Sequence, residues 1–521
     1  MGFSIVTSLV DLPGSPPPVK WRVTLSDENS TYKLVIAGLP SAARSELAQR
    51  VGGGGIGIMH SINRARIGEA QTMSVVATPD DLTGAEHPSN ALGLLASLVA
   101  LTEDQRDLQG YLDELLFCGS IAADGTVLPP RNPVALALQA RDLGKVLVME
   151  RGAAEIGVSV YPGVLGVSHS SELFKLLMGD PEWDCHVEAR PLQHRDVSGA
   201  VDISCVVGQV WAKKALEVAV AGGHDVIMLG PPGEGKSLLS KTIPGIAAKL
   251  SESERLDVAC MYHAAGKLAP DELPSQRPLR MVDQTVTKQA LLGGGSDQPY
   301  PGEVSLSDHG FLVIDEALQC SRGILDALRT VMQDGEVAIS RVAWKTVFPA
   351  RFSLIALANP CLCGKSRPGD ESECTCTPRA REAYRAKLSG PLADRLEIRV
   401  RVEALSIDEF IAAEVSETSE VVQARVQSAV DLQISRQGCL NARLNPEIEQ
   451  SLWRGIDKRL LVEYSRGRTT RGLMTMLKLA RTCADLRGAE VLGEEDLSLA
   501  ARLSPDITSV AGGVSSTVGI G

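Results

Sequence analysis

Between Asp225 and Asn359 the chain sets short, unbroken apolar runs among longer amphipathic stretches, the pattern of parallel strands buried on both faces in an α/β unit. Asp225-Val-Ile-Met-Leu229, Phe311-Leu-Val-Ile-Asp315-Glu316 and Phe352-Ser-Leu-Ile-Ala-Leu-Ala358 are the strand-like runs, while Leu238–Ile243 and Gln209–Ala219 carry helical character. Val337–Val347 alternates like a hairpin. Upstream, strand-like Tyr32–Ile36 and Lys145–Met149 interleave with helical Asn90–Leu101 and Pro133–Asp142, an α+β pattern. Beyond Ile407 the chain reads as helical to about Leu503, and its last residues are rich in Gly and Ser. The predicted organisation is an α+β domain over 1–180, a polar linker over 181–203, an α/β core over 204–401, a helical domain over 402–505 and a disordered tail over 506–521.

The first apolar run ends in Gly230-Pro231-Pro232-Gly233-Glu234-Gly235-Lys236-Ser237, which spells G-x-x-x-x-G-K-[ST] between a strand and a helix. Glycines there let successive backbone N–H groups turn toward phosphate oxygens at the positive end of the following helix. Lys236 supplies a point charge to the phosphates, and the Ser237 hydroxyl is placed to hold Mg²⁺. About eighty residues on, the second run ends in Asp315 and Glu316. Asp315 is expected to hold the Mg²⁺ and Glu316 to orient and deprotonate the attacking water. Asn359, ending the third run, is an amide placed to sense the γ-phosphate, because strand ends of a parallel sheet face the ligand crevice. The pattern implies ATP as ligand.

An ATP-binding core followed by an all-helical domain is the build of AAA+ ATPases. In that setting Arg395, in Ser389-Gly-Pro-Leu-Ala-Asp394-Arg395, is expected to reach the γ-phosphate of the next subunit. Arg471, opening a C-terminal helix, is expected to contact the nucleotide of its own chain. Gly208-Gln209, the phosphate loop, Leu291–Gly295, Pro301–Leu306, Ile339–Arg341, Phe348–Ala350, Asn359-Pro-Cys-Leu-Cys-Gly364, Ser389–Leu392 and Ala480–Leu486 follow in this order. Together they resemble the bacterial ComM group of magnesium-chelatase-like AAA+ proteins. Ile36–Pro40 and Cys118–Gly125 extend the resemblance to that group's Lon-protease-like (S5-type) N-terminal domain.

The resemblance implies an α/β AAA+ P-loop core with a C-terminal helical lid and an N-terminal α+β Lon-protease-like domain. It further implies a homohexamer that translocates on single-stranded and branched DNA and drives branch migration of recombination intermediates in natural transformation. The chain departs from the group at Val282-Asp-Gln-Thr285, where Pro-His-His-Thr is usual, and at Glu234, where Thr is usual. A magnesium-chelatase- or chaperone-like ATPase that remodels a protein is the alternative, since its motor core would look much the same. Proteolysis is excluded: Ser89 stands where Lon-like enzymes place their nucleophile, but no lysine lies between Lys33 and Lys145 to serve as its base.

Near the hairpin tip, Arg341, Trp344 and Lys345 can touch phosphate or stack on a base, or the segment is a structural hairpin with solvated charges. Lys458, Arg459, Arg466 and Arg468 form a basic cluster that is a second DNA contact or a solvated face. Cys361, Cys363, Cys374 and Cys376 (C-x-C, ten residues, C-x-C) can close a tetrahedral Zn²⁺ site across loop 361–376, or stay free thiols. A net charge of −12 confines any nucleic-acid contact to a local stripe or a pore. No membrane-spanning run or signal peptide is visible, and eleven cysteines without a framework pattern suit the cytoplasm.

Overall fold

The computed structural model describes residues 3–10, 17–27, 33–36, 39, 41–51, 73–79, 87–102, 108–181, 183–295, 299–340, 345–366, 374–386, 395–403, 416–444 and 456–505. The tail over 506–521 therefore lies outside the described residues.

The N-terminal part is built on β1 (Phe3–Ser8), β2 (Val19–Asp27), β3 (Lys33–Ile36), β4 (Met73–Pro79) and β5 (Leu115–Phe117), followed by a small hairpin of β6 (Ser120–Ile121) and β7 (Val127–Leu128), then β8 (Val146–Glu150) and β9 (Val164–Val167). Seven of these strands form one sheet in the order β3-β4-β2-β1-β5-β8-β9. Pairing is antiparallel through β1, β2 and β4 and parallel from β1 through β5 and β8 to β9. The helix Ala91–Thr102 is apolar almost all round because it is buried: Leu92, Leu94, Leu95 and Leu98 pack with Trp21, Leu47 and Phe117. Trp21 finds a partner for its indole N–H in Asn90 Oδ1 at 3.4 Å.

The polar stretch expected as a plain linker carries β10 (Gln193–Arg195), which pairs in parallel with β12 (Glu272–Pro274). Arg195 also bonds Glu272 at 3.1 Å, so the connector is stitched to the core.

The second sheet holds the runs around which the sequence is organised. β11 (Val226–Leu229), β13 (Leu279–Val282), β16 (Phe311–Ile314), β19 (Ser353–Ala358) and β20 (Ile398–Arg401) lie in the order β13-β16-β19-β11-β20, every pair parallel. Strict alternation along the strands feeds two cores. Val226, Met228, Val313, Ile355, Leu357, Ile398 and Val400 face one side, and Ile227, Leu229, Leu312, Ile314, Leu354 and Ala356 the other. The first side also takes the helices Ser419–Gln437, Thr470–Leu486 and Glu494–Leu503, whose Val426, Met476, Ala480, Leu497 and Ala500 join that cluster. The C-terminal helices thus share a core with the phosphate-loop helix (Lys236–Ile246), whose Leu239 and Ile243 sit in the same cluster.

Between β13 and β16 the glycines of the Leu291–Gly295 motif form β14 (Gly293–Gly294), paired with β15 (Tyr300–Pro301). A Cβ on Gly302 would stand 2.2 Å from the Gly293 nitrogen, so only glycine fits that crossing. The expected hairpin is β17 (Glu336–Ser340) against β18 (Lys345–Pro349), with Ser340 opposite Lys345. Its tip, with Arg341 and Trp344, lies outside the described residues, and so does the side chain of Lys345. The base is anchored: fully buried Phe348 packs with Val134 and Ile156 of the N-terminal part and with Leu256 and Met261 of the helix Glu252–Ala264. Among the described residues no helix is long and apolar enough to cross a membrane.

Candidate nucleotide site

Strand order explains how residues far apart in sequence meet. The strand that ends at the phosphate loop and the strand that ends in the acid pair are not neighbours; β19 runs between them. Asn359, the residue that follows β19, is therefore set between Lys236 and the carboxylates. Lys236 Nζ donates to Gly230 O and Pro231 O, both at 2.6 Å, and to Asn359 Oδ1 at 3.2 Å. Ser237 Oγ donates to Asp315 Oδ2 at 3.1 Å. The Glu316 backbone N–H donates to Asp315 Oδ1 at 2.9 Å, and the Asp315 N–H is held by Val282 O at 2.8 Å. Val282, the first residue of the Val282–Thr285 departure, thus borders the acid pair.

The loop is shaped to leave donors free. Gly233 and Gly235 sit at φ +90° and +81°, a region that side chains avoid. Gly230 cannot carry a Cβ, which would lie 2.3 Å from Val402 O. Gly235 caps the phosphate-loop helix without any side-chain hydrogen bond, so the N–H groups of its first turn stay available to an anion. Pro231, Pro232, Gly233 and Glu234 form the turn itself, with Glu234 close enough to act electrostatically on Lys236. Burial pulls the Lys236 ammonium below its ordinary pKa, and Asp315, Glu234 and Glu316 pull it back. Glu316 occupies the left-handed region at φ 51°, an uncommon conformation for a residue with a side chain and one that clusters at working sites. The donor set fits a nucleotide with Mg²⁺: one buried ammonium, an uncapped helix N-terminus, and a hydroxyl already paired with a carboxylate.

Arg395 is elsewhere. β20 lies beside β11 with Val226 opposite Ile398 and Leu229 opposite Arg401. Arg395 precedes β20 and so stands at the N-terminal edge of the sheet, whereas the phosphate loop leaves the C-terminal edge. Four strand residues, about 13 Å of sheet, separate the two levels. Arg395 Nη2 donates to Gln333 Oε1 at 3.0 Å. Burial and the guanidiniums of Arg471 and Arg329 depress its pKa, against Asp225 and Asp334. Arg471 is exposed and within electrostatic range of Arg395. The structure thus sets Arg471 beside Arg395, and the expected approach of Arg471 to its own chain's phosphate loop has no counterpart in this geometry. Asp394 and the rest of 387–394 lie outside the described residues.

Sequence reasoning missed several groups that shape this region. Buried Tyr384 donates its hydroxyl to Asn359 O at 3.1 Å. His224, wholly buried, pairs with Glu397 at 2.5 Å and with Thr482 of the C-terminal helices at 2.8 Å. Asp485, the acid of the Ala480–Leu486 motif, gathers Arg436, Arg481 and Asn441. A lone His or Tyr amid apolar residues carries no local signal of such partners. Of the basic cluster, Arg468 is used structurally, donating to Ser504 O and Ala501 O, while Lys458 and Arg459 are exposed. Outside the loop, Cys205 is exposed, whereas Cys118, Cys260 and Cys483 are buried and pack as small apolar residues.

The four loop cysteines do converge. Their sulfurs lie within 4.8 Å of one another, with Cys361–Cys363 at 3.4 Å, Cys363–Cys374 at 3.6 Å and Cys361–Cys374 at 3.7 Å. The Lys365 backbone N–H draws the Cys363 thiol down to about 5, whereas burial lifts Cys361 to about 11.

A parallel sheet with a glycine-rich G-x-x-x-x-G-K-S loop on one strand, an acid pair on another and an amide between them is the arrangement of a P-loop core. The family model "Magnesium chelatase, subunit ChlI" matches residues 202–410, and "Magnesium chelatase, subunit ChlI C-terminal" matches 416–503. The uncharacterized protein YifB of Escherichia coli is 31% identical over 509 residues, 95% of this chain and 96% of its own. The uncharacterized protein Rv2897c of Mycobacterium tuberculosis is 32% identical over 485 residues, 92% of each chain. Competence protein ComM of Haemophilus influenzae is 29% identical over 514 residues, 96% of each. The chain belongs to the ComM/YifB-type family of magnesium-chelatase-like AAA+ proteins, and that membership implies use of a nucleotide and Mg²⁺.

Proposed function

We propose that this chain is an ATP hydrolase that works as a homohexameric ring in the cytoplasm, moving single-stranded and branched DNA as a branch-migration helicase in recombination and natural transformation. The observation that carries the ring is the position of Arg395. It lies at the sheet edge opposite its own phosphate loop, beside Arg471 and Arg329, so a nucleotide contact for it requires a second subunit. Within one chain, Lys236 and the loop N–H groups bind the phosphates, Ser237 and Asp315 hold Mg²⁺, Asn359 reads the γ-phosphate, and Glu316 takes the proton of the attacking water. Mg²⁺, when bound, neutralises charge on the β- and γ-phosphates. Arg395, with Arg471 beside it, stabilises charge on the phosphoryl group held by the neighbour.

The DNA part of the reading is supported by the name of the ComM relative and by the anchored hairpin β17–β18, whose Arg341, Trp344 and Lys345 we assign to the ring's pore. The assigned division is an N-terminal Lon-protease-like domain over 1–180, a linker over 181–203, the AAA+ core over 204–401 and the lid over 402–505.

The test measures ATP turnover with and without four-way-junction DNA, and strand exchange on the same substrate. Junction DNA should accelerate turnover. A rate indifferent to DNA, with no junction movement, points to remodelling of a protein instead. Shared sites are tested by mixing two inactive variants. Glu316→Gln should lose about a hundredfold or more in turnover, and Arg395→Ala about a thousandfold with nucleotide affinity retained. An Arg395→Ala pocket next to a Glu316→Gln neighbour is complete, so the mixture should recover activity that neither variant has. A mixture as inactive as its parts refutes the shared site.

A further inference from the structure

The cysteine cluster is built against the phosphate site. Asn359, whose amide meets Lys236, lies two residues before Cys361. Gly364, at φ +76°, packs so closely on the phosphate loop that a Cβ there would stand 2.7 Å from Pro232 Cδ. Cys376 leads into the helix Pro378–Ala386, and Tyr384 of that helix returns to donate to the Asn359 carbonyl. The two C-x-C halves therefore belong to a loop whose two ends both meet Asn359, one through the chain and the other through Tyr384.

The sulfur geometry says what closes it. Four sulfurs at the usual zinc–sulfur distance of about 2.3 Å occupy the corners of a tetrahedron with edges of about 3.8 Å. Three of the sulfur–sulfur separations, 3.4 to 3.7 Å, approach that edge and lie far outside a disulfide bond of about 2.05 Å, and all four sulfurs lie within 4.8 Å of one another. Cys361 is fully buried and its sulfur accepts the Ser366 N–H at 3.4 Å, so one corner is set in the fold rather than on a solvated loop.

Resting on the ATP-site reading above, we propose that Cys361, Cys363, Cys374 and Cys376 bind one Zn²⁺, and that this centre is a brace holding Asn359 and Pro232 in the geometry that reads the γ-phosphate. It is a structural site, with all four positions filled by protein and none open to substrate. Its effect on hydrolysis passes through Asn359 and the phosphate loop, as outer-shell supports act on the groups they orient.

The experiment uses the full chain. Elemental mass spectrometry should find about one zinc per wild-type chain, and cobalt substituted for zinc should show thiolate charge-transfer absorption. The double variant Cys374→Ser/Cys376→Ser should lose the metal and bind Mg²⁺ with a non-hydrolysable ATP analogue about tenfold more weakly or worse, with circular dichroism reporting whether it stays folded. Gly364→Ala keeps all four thiols but crowds Pro232, so it should retain zinc while losing analogue affinity. Tyr384→Phe should retain zinc and lower turnover at unchanged metal content. Wild-type protein that holds neither zinc nor cobalt overturns the site. A folded, zinc-free double variant with wild-type analogue affinity, or a Gly364→Ala variant with the same, overturns the brace. Zinc-loaded wild type that binds no nucleotide overturns the ATP-site reading itself, and the brace with it.

Discussion

Replacing Lys236 with alanine separates what the phosphate loop does for folding from what it does for ligand. The ammonium is held by two loop carbonyls at 2.6 Å and by Asn359 at 3.2 Å, and only 8% of the residue is exposed. In the complex it exchanges at least one of these for a phosphate oxygen, a charge-assisted bond of about 1.5–3 kcal/mol. Each 1.4 kcal/mol is tenfold in affinity, so Lys236→Ala should weaken binding of a non-hydrolysable Mg–ATP analogue roughly ten- to 150-fold. The same change leaves the Gly230 and Pro231 carbonyls without their donor, which costs about 1–3 kcal/mol in stability if no water replaces it. Isothermal titration reads the first quantity and chemical denaturation the second. A fall in affinity of less than about threefold, in a variant as stable as wild type, would refute the assignment of Lys236 to phosphate.

Other outcomes follow from the buried polar groups. Asp225 accepts the Leu354 N–H at 2.7 Å, and burial pushes its carboxyl up to about 7 despite Arg443. Because the folded state then holds its proton more tightly than the unfolded chain, Asp225 makes stability fall as pH rises from about 4 to about 7, by an amount on the order of 4 kcal/mol at most. Asp225→Asn should therefore gain on wild type as pH rises through that window; a constant difference between the two denaturation profiles sinks the assignment. His224→Ala removes the shared partner of Glu397 and Thr482 and should cost about 3 kcal/mol or more, with loosening of the C-terminal helices visible by hydrogen exchange. A loss under about 1 kcal/mol would show that the pair is not a joint between core and lid.

Much of the core was legible because its signals are local. The phosphate loop needs its glycines, lysine and serine in one eight-residue run, and the strands announce themselves by unbroken apolar residues on both faces. The helix Pro133–Asp142 appears with the bounds its residues suggest, Asn132 capping it through Ala135 N. The hairpin at 337–347 was readable from alternation alone. The linker was less so: β10 becomes a strand only because β12 offers a parallel edge, and no local pattern in Gln193–Arg195 encodes that partner.

What the sequence determined by itself was the inventory: the ligand-binding loop, the acid pair, the amide, the four cysteines and the family they belong to. Tertiary structure decided how these stand to one another. Strand order inserted β19 between loop and acids and so brought Asn359 to Lys236, while the register of β20 on β11 carried Arg395 to the far edge of the sheet. The packing of Gly364 on Pro232 and the return of Tyr384 to Asn359 joined the cysteine cluster to the phosphate site. Periodicity, caps and turns act over a few residues and leave their mark in the chain. Strand order and register are settled by which distant faces bury each other best, and that is a property of the assembled fold.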